Sequence, residues 1–121
     1  MAGAHSLPAT FPRHYRLHNK SEFDAVYRQG RRQADAYFSL TACDNRVAHP
    51  RLGLSIGAKA VGNAVRRNKI KRILRESFRR NAYRLPPLDI VINARPPCRS
   101  ATANQLTRSL ARLWDKLAGH A

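Results

Sequence analysis

The sequence predicts an α+β fold, a two-layer α/β sandwich in which three helices cover a mixed sheet of about four strands, in the order α-β-β-α-β-α. Three observations carry this reading. Apolar residues recur with the helical period of 3.6 in three separate segments. Short apolar runs bounded by turn formers lie between them, as strands do. The chain of 121 residues, 43% of them apolar, is long enough for one packed core and one domain.

Residues 1–18 read as an irregular basic arm, with Pro8, Pro12, Arg13 and Arg16, and residues 19–121 as the domain. The first helix begins where Asn19 can cap it, with Glu22 three residues on as in a capping box, and Gly30 stops it. Phe23, Val26 and Tyr27 form its apolar face. "AYFSLTAC" (36–43) and "RLGLSIG" (51–57) read as strands on either side of "DNRVAHP", a loop rich in turn formers, and are expected to pair as a hairpin. A long helix follows in "VGNAVRRNKIKRILRESFRRN" (61–81), and "RLPPL" breaks it. "LDIVINA" (88–94) is a continuous apolar run suited to the middle of a sheet. After the loop "RPPCRS", residues 101–118 form a last helix with Leu106, Leu110, Leu113, Trp114 and Leu117 on one side.

Charge narrows the function. Lysine and arginine number 23 against 7 acids, a net charge of +16 whose self-repulsion opposes compaction unless a polyanion is bound. Nucleic acid is favoured over a membrane surface, because the apolar faces are committed to a core. No apolar run approaches the ~20 residues needed to span a bilayer. The N-terminus lacks the pattern of a secretion signal, so a cytoplasmic location is expected. Cys43 and Cys98 have no metal-site spacing and are expected to be free thiols.

At about 100° per residue, Ile70, Ile73, Leu74, Ser77 and Phe78 of the long helix share one arc, which must dock on the sheet. Arg67, Lys71, Arg75 and Arg79 form an i, i+4 row on the other side, with Asn68 and Arg72 alongside. Lys69 and Arg80 lie on the opposite flank beside Glu76. Charged helix faces are usually just solvated, but a solvated face mixes signs, and this one is a ridge of cations suited to phosphates.

Other chemistry finds little support. "GAKAVGN" (57–63) has the glycine interval of a phosphate-binding loop, but Asn63 and Ala64 stand where Lys and Ser or Thr are needed. Its glycines suit a tight strand-to-helix turn. The seven acids show no spacing for a two-metal nuclease site. His14 and His18 lie at i, i+4 with no further ligand near, as exposed or phosphate-contacting groups. No second helix follows the basic one closely enough for a helix-turn-helix DNA binder. Phe23 and Tyr27 fit a core, as helical aromatics at i, i+4 usually do. The functional alternative to that favoured core reading is a stacking platform for unpaired bases among Arg16, Arg28, Arg31 and Arg32.

"RLGLSIGAKAVGNAVRRNKIKRILRESFR" resembles the signature of the bacterial ribonuclease P protein subunit, in which a glycine-containing strand turns into a basic helix with an Arg-Asn-Arg core. "RLHNKSEFDAVYRQGRR" looks like that family's first helix and "LDIVINARP" like its last strand. The resemblance implies a left-handed β-α-β crossover, which general rules would not suggest, since right-handed connections make up roughly 98% of cases. It implies as partners a catalytic RNA and precursor tRNA, with no DNA and no membrane. The holoenzyme would be an endoribonuclease that removes the 5′ leader. Its chemistry would be carried by magnesium held by the RNA, with no cofactor on the protein. The contacts to catalytic RNA map onto Lys59, Arg66, Arg67, Asn68, Lys69, Lys71, Arg72, Arg75 and Arg79. The leader cleft maps onto Phe23 and Tyr27, with Arg16, Arg28 and Arg31 as its basic surround. Three positions depart from the family pattern. Lys69 replaces the motif's second arginine and loses the planar fork suited to phosphate, Ala58 stands where lysine is common, and Thr41 where some members place a cleft aromatic.

Overall fold

Residues 13–119, described by a computed structural model, are organised by one four-stranded mixed sheet: β1 (Arg31–Ala34), β2 (Phe38–Asp44), β3 (Arg51–Ser55) and β4 (Leu88–Ala94). Four helices accompany it: α1 (Lys20–Gln29), α2 (Ala58–Val61), α3 (Ala64–Asn81) and α4 (Ala103–Ala118). The strand order is β1-β2-β4-β3. The expected hairpin between residues 36–43 and 51–57 is therefore not formed. β4 lies between those strands, antiparallel to β2 and parallel to β3. The reason is β4's two-sided apolarity. Ile90, Val91 and Ile92 are all fully buried, which requires a neighbour on each edge and cover on each face. The antiparallel hairpin partner of β2 is instead β1, whose sequence RRQA carries no hydrophobic alternation to announce it.

Side chains alternate across the sheet and create two cores. On one face Phe38, Leu40, Leu52, Ile90 and Ile92 pack against Ile70, Leu74 and Phe78 of α3 and Leu106, Leu110, Leu113 and Trp114 of α4. This is the expected two-layer body. On the other face Val91 packs with Leu17 and Val26, and α1 lies across it. The Trp114 indole N–H donates to Ser77 Oγ at 2.8 Å, and its ring meets Phe78 edge to face at 5.9 Å. Asp35 closes the β1–β2 turn by accepting the backbone N–H of Tyr37 and Phe38, each at 2.9 Å, and accepts the Ser109 hydroxyl from α4.

The helix ends follow their sequence signals. Asn19 and Glu22 form a reciprocal capping box, and Asn63 accepts the Arg66 N–H at the start of α3. Between β3 and α3, the expected tight turn contains the single helical turn α2. Gly62 follows it at φ +92°, where a side chain would be strained. Of the expected basic arm, residues 1–12 lie outside the described residues. Residues 13–18 are tied to the domain. Arg13–Tyr15 form a 3₁₀ turn, the Leu17 N–H donates to Leu52 O at 3.0 Å, and the Leu17 side chain is buried. Cys43 and Cys98 are free thiols, as expected.

Candidate nucleic-acid interface

The outward face of α3 is held by its buried inner face, so its charges are fixed in place rather than carried on a loose tail. Arg67, Lys69, Lys71 and Arg72 make no ion pair within residues 13–119. Five of the seven acids are engaged elsewhere: Glu22 and Asp89 with Arg51, Asp24 with Lys20, Asp115 with Arg84, and Glu76 with Arg79 and Arg80. Arg75 lies near Arg16. Burial, and then repulsion from Arg16, pull its pKa below the ordinary arginine value. A row of cations without counter-charge is costly to assemble and is relieved by phosphate.

Two of the expected RNA contacts, Arg79 of the ridge and Arg66 before it, also have partners within the protein. The Arg79 guanidinium bonds Glu76 through Nε at 3.1 Å and again through Nη2, and Arg80 adds a bond of 3.1 Å. The Arg79 bond holds the Glu76 carboxyl below the usual carboxylate range. Arg79 is thus partly neutralised within the helix. Arg66 reaches across to the chain before α4, where its Nη2 donates to Cys98 O at 2.7 Å and Ala101 O at 2.6 Å. It serves as a clamp. Arg66→Ala is expected to lower stability by about 1–3 kcal/mol in thermal or urea denaturation, the range for losing charged hydrogen bonds to buried carbonyls. An unchanged melting temperature would show the clamp to be idle. Lys59 is exposed on α2, close to the start of α3, with Ala58 exposed beside it.

On the opposite face of the sheet, α1 lies across the strands and sets Phe23 and Tyr27 beside them. Arg51 fixes the helix start, donating to both oxygens of Asp89 at 2.8 Å and to Glu22 Oε2 at 3.4 Å. Phe23 is half-buried over Gly53, where a Cβ would stand 2.6 Å from the ring. The glycine is what lets the ring lie this close to the strand. Tyr27 is 45% exposed, which removes it from the core, and its hydroxyl donates to Asn93 Oδ1 at 3.1 Å. Arg32 Nε donates to Ser39 Oγ at 2.8 Å on the same face, and Ser55 lies beside Asn93 in the register.

The predicted basic surround is only partly assembled there. Strand alternation sends Arg31, which is paired with Ala42, to the α4 face. There it lines a groove with Gln33 and Lys116. Arg16 lies on the α3 side, near Arg75, and Arg28 is exposed on α1. Arg32, named among the cations around the aromatics, does lie on this face, whereas Ser39 and Asn93 were missed. The signal for all three is the period-2 alternation, which for Arg32 is legible only once β1 is recognised as a strand. Thr41 is covered by the end of α1, where a Cβ on Gly30 would lie 2.7 Å from Thr41 Cγ2, and it offers no open cleft surface.

Among the described residues, no three His, Cys, Asp or Glu side chains gather to hold a metal ion, and no helix is long and apolar enough to cross a membrane. Burial pushes the Cys98 thiol up to about 11, and it donates to Tyr37 O.

A cationic helix on one side of a sheet and aromatic and polar groups beside α1 on the other are features of a small basic nucleic-acid-binding protein. Comparison with known proteins makes this specific. The Ribonuclease P family model matches residues 11–118. The ribonuclease P protein component of Methylococcus capsulatus is 41% identical over 104 residues, 86% of this chain and 81% of that protein. The solved structure of the Staphylococcus aureus RNase P protein superimposes with a TM-score of 0.78 at 37% identity, covering 81% of this chain and 90% of that one. The Thermotoga maritima RNase P protein gives 0.76 at 30% identity, covering 84% and 96%. The chain belongs to the bacterial ribonuclease P protein family. It is a protein component of a tRNA-processing ribonucleoprotein endoribonuclease, and membership implies an RNA partner.

Proposed function

We propose that α3 binds the catalytic RNA of ribonuclease P while the cleft beside α1 receives the single-stranded 5′ leader of precursor tRNA, supporting removal of that leader in the cytoplasm. The observation that carries this reading is that Arg67, Lys71 and Arg72 on α3 make no ion pair among the described residues. Because the ridge and the cleft lie on opposite faces of one sheet, both RNAs can be engaged at once. Cleavage chemistry rests with magnesium held by the RNA, and the protein contributes binding and position. In the cleft, Phe23 and Tyr27 offer ring faces already ordered by packing and by the Asn93 bond, so a leader base can stack at low entropic cost. Arg32 and Asn93 add hydrogen-bonding groups along the floor.

In complex with the catalytic RNA, Tyr27→Ala and Phe23→Ala are expected to weaken precursor-tRNA binding about ten-fold each, the scale of one lost base–aromatic stack. Mature tRNA, lacking a leader, should bind as before. Tyr27 gives the cleaner test because it is exposed. Equal losses for precursor and mature tRNA would contradict the leader assignment.

A further inference from the structure

His14 and His18, four residues apart in sequence, do not act as a pair. His18 Nε2 lies 2.8 Å from Arg13 O, whereas His14 belongs to a three-ring cluster with Tyr15 and His49, which comes from the β2–β3 loop. The Tyr15 and His49 centroids are 4.3 Å apart with ring planes at 32°. His14 stands 4.7 Å from Tyr15 and 5.5 Å from His49. Tyr15 packs against the core between the sheet and α3, which explains its position, but His14 is exposed and contributes nothing to that core. The cluster lies among cations: Arg13 is exposed beside it, and Arg16 comes within electrostatic range of Arg75 on α3. It therefore continues the α3 surface around the edge of β3 and is separate from the leader cleft.

We propose that the His14–Tyr15–His49 cluster is a base-stacking site that takes one unpaired nucleobase of the catalytic RNA, with the flanking phosphates held by Arg13 and Arg75. The inference rests on the reading of α3 as the RNA-binding face. The chemistry favours a base. Ring faces held by packing accept another π-face with little ordering cost, and cations at the rim match the phosphates on either side of an extruded nucleotide. A bare phosphate site would need no ring cluster.

The test uses the full chain and the cognate ribonuclease P RNA. His14→Ala is expected to weaken binding about five-fold, and the His14→Ala/His49→Ala pair about ten-fold or more. The dependence of log affinity on log salt should keep its slope. His14→Phe should retain binding, and base-specific chemical probing of the complex should lose protection at one unpaired nucleotide in the alanine variants. His14→Ala is an exposed change that leaves the fold intact, so it decides the matter if the pair unfolds. Binding within two-fold of the unsubstituted chain would overturn the proposal. So would His14→Phe as weak as alanine, or a loss accompanied by a slope change of about one, the mark of an ionic contact. Failure of the underlying reading is separately visible, because the unsubstituted chain would then not bind the RNA in the same assay.

Discussion

Replacing Arg67, Lys71 and Arg75 together by alanine is expected to weaken binding to the catalytic RNA by two to three orders of magnitude near 0.1 M salt. The dependence of log affinity on log salt should flatten by roughly two to three. Each phosphate neutralised by a lysine or arginine releases counterion and contributes about 0.9 to that slope on a duplex and about 0.7 on a single strand. The fold should not suffer. Alanine is the best helix former, and the substitutions remove like-charge pairs at i, i+4 that cost α3 a few tenths of a kcal/mol each. Unchanged or raised thermal stability with a flattened slope identifies the ridge as a contact surface. An unchanged slope would show that the phosphates are held elsewhere.

The second large effect lies behind the ridge. Trp114→Ala is expected to cost about 3–5 kcal/mol in urea denaturation, the range for deleting a fully buried aromatic. The change removes the edge-to-face contact with Phe78 and leaves Ser77 Oγ without its indole donor, both on the side of α3 that sets the ridge's direction. Trp114→Phe retains most of the contact and should cost about 1–2 kcal/mol, from the lost hydrogen bond and the smaller ring. A loss below about 1 kcal/mol for the alanine variant would mean that α4 does not brace α3.

Helix faces were legible because periodicity states directly which side chains point inward. Ile70, Leu74 and Phe78 of α3 and the five apolar residues of α4 all lie where spacing puts them. Strand partners were not legible. The pairing of β2 and β3 with β4 rather than with each other depends on a strand that arrives more than 30 residues later in the chain. β1 escaped notice because an edge strand with exposed arginines needs no apolar pattern. That omission carried into the cleft, where missing the strand hid the alternation that puts Arg32 on the cleft face and Arg31 on the other. Charge alone also could not separate free arginines from employed ones. Arg66 and Arg79 both look like RNA contacts in sequence, and only the carbonyls of Cys98 and Ala101 and the carboxylate of Glu76 reveal their other work. Lys69 is exposed and makes no ion pair within residues 13–119, so the substituted position of the Arg-Asn-Arg core keeps a free charge without the arginine fork.

The most direct measurement is reconstitution with the cognate catalytic RNA, following cleavage of precursor tRNA at magnesium concentrations too low for the RNA alone. On the proposed reading the chain restores cleavage at the 5′ end of the mature tRNA, and the Arg67, Lys71 and Arg75 triple variant does so only at much higher protein concentration. An RNA whose cleavage is unaffected by the chain at any concentration would contradict it.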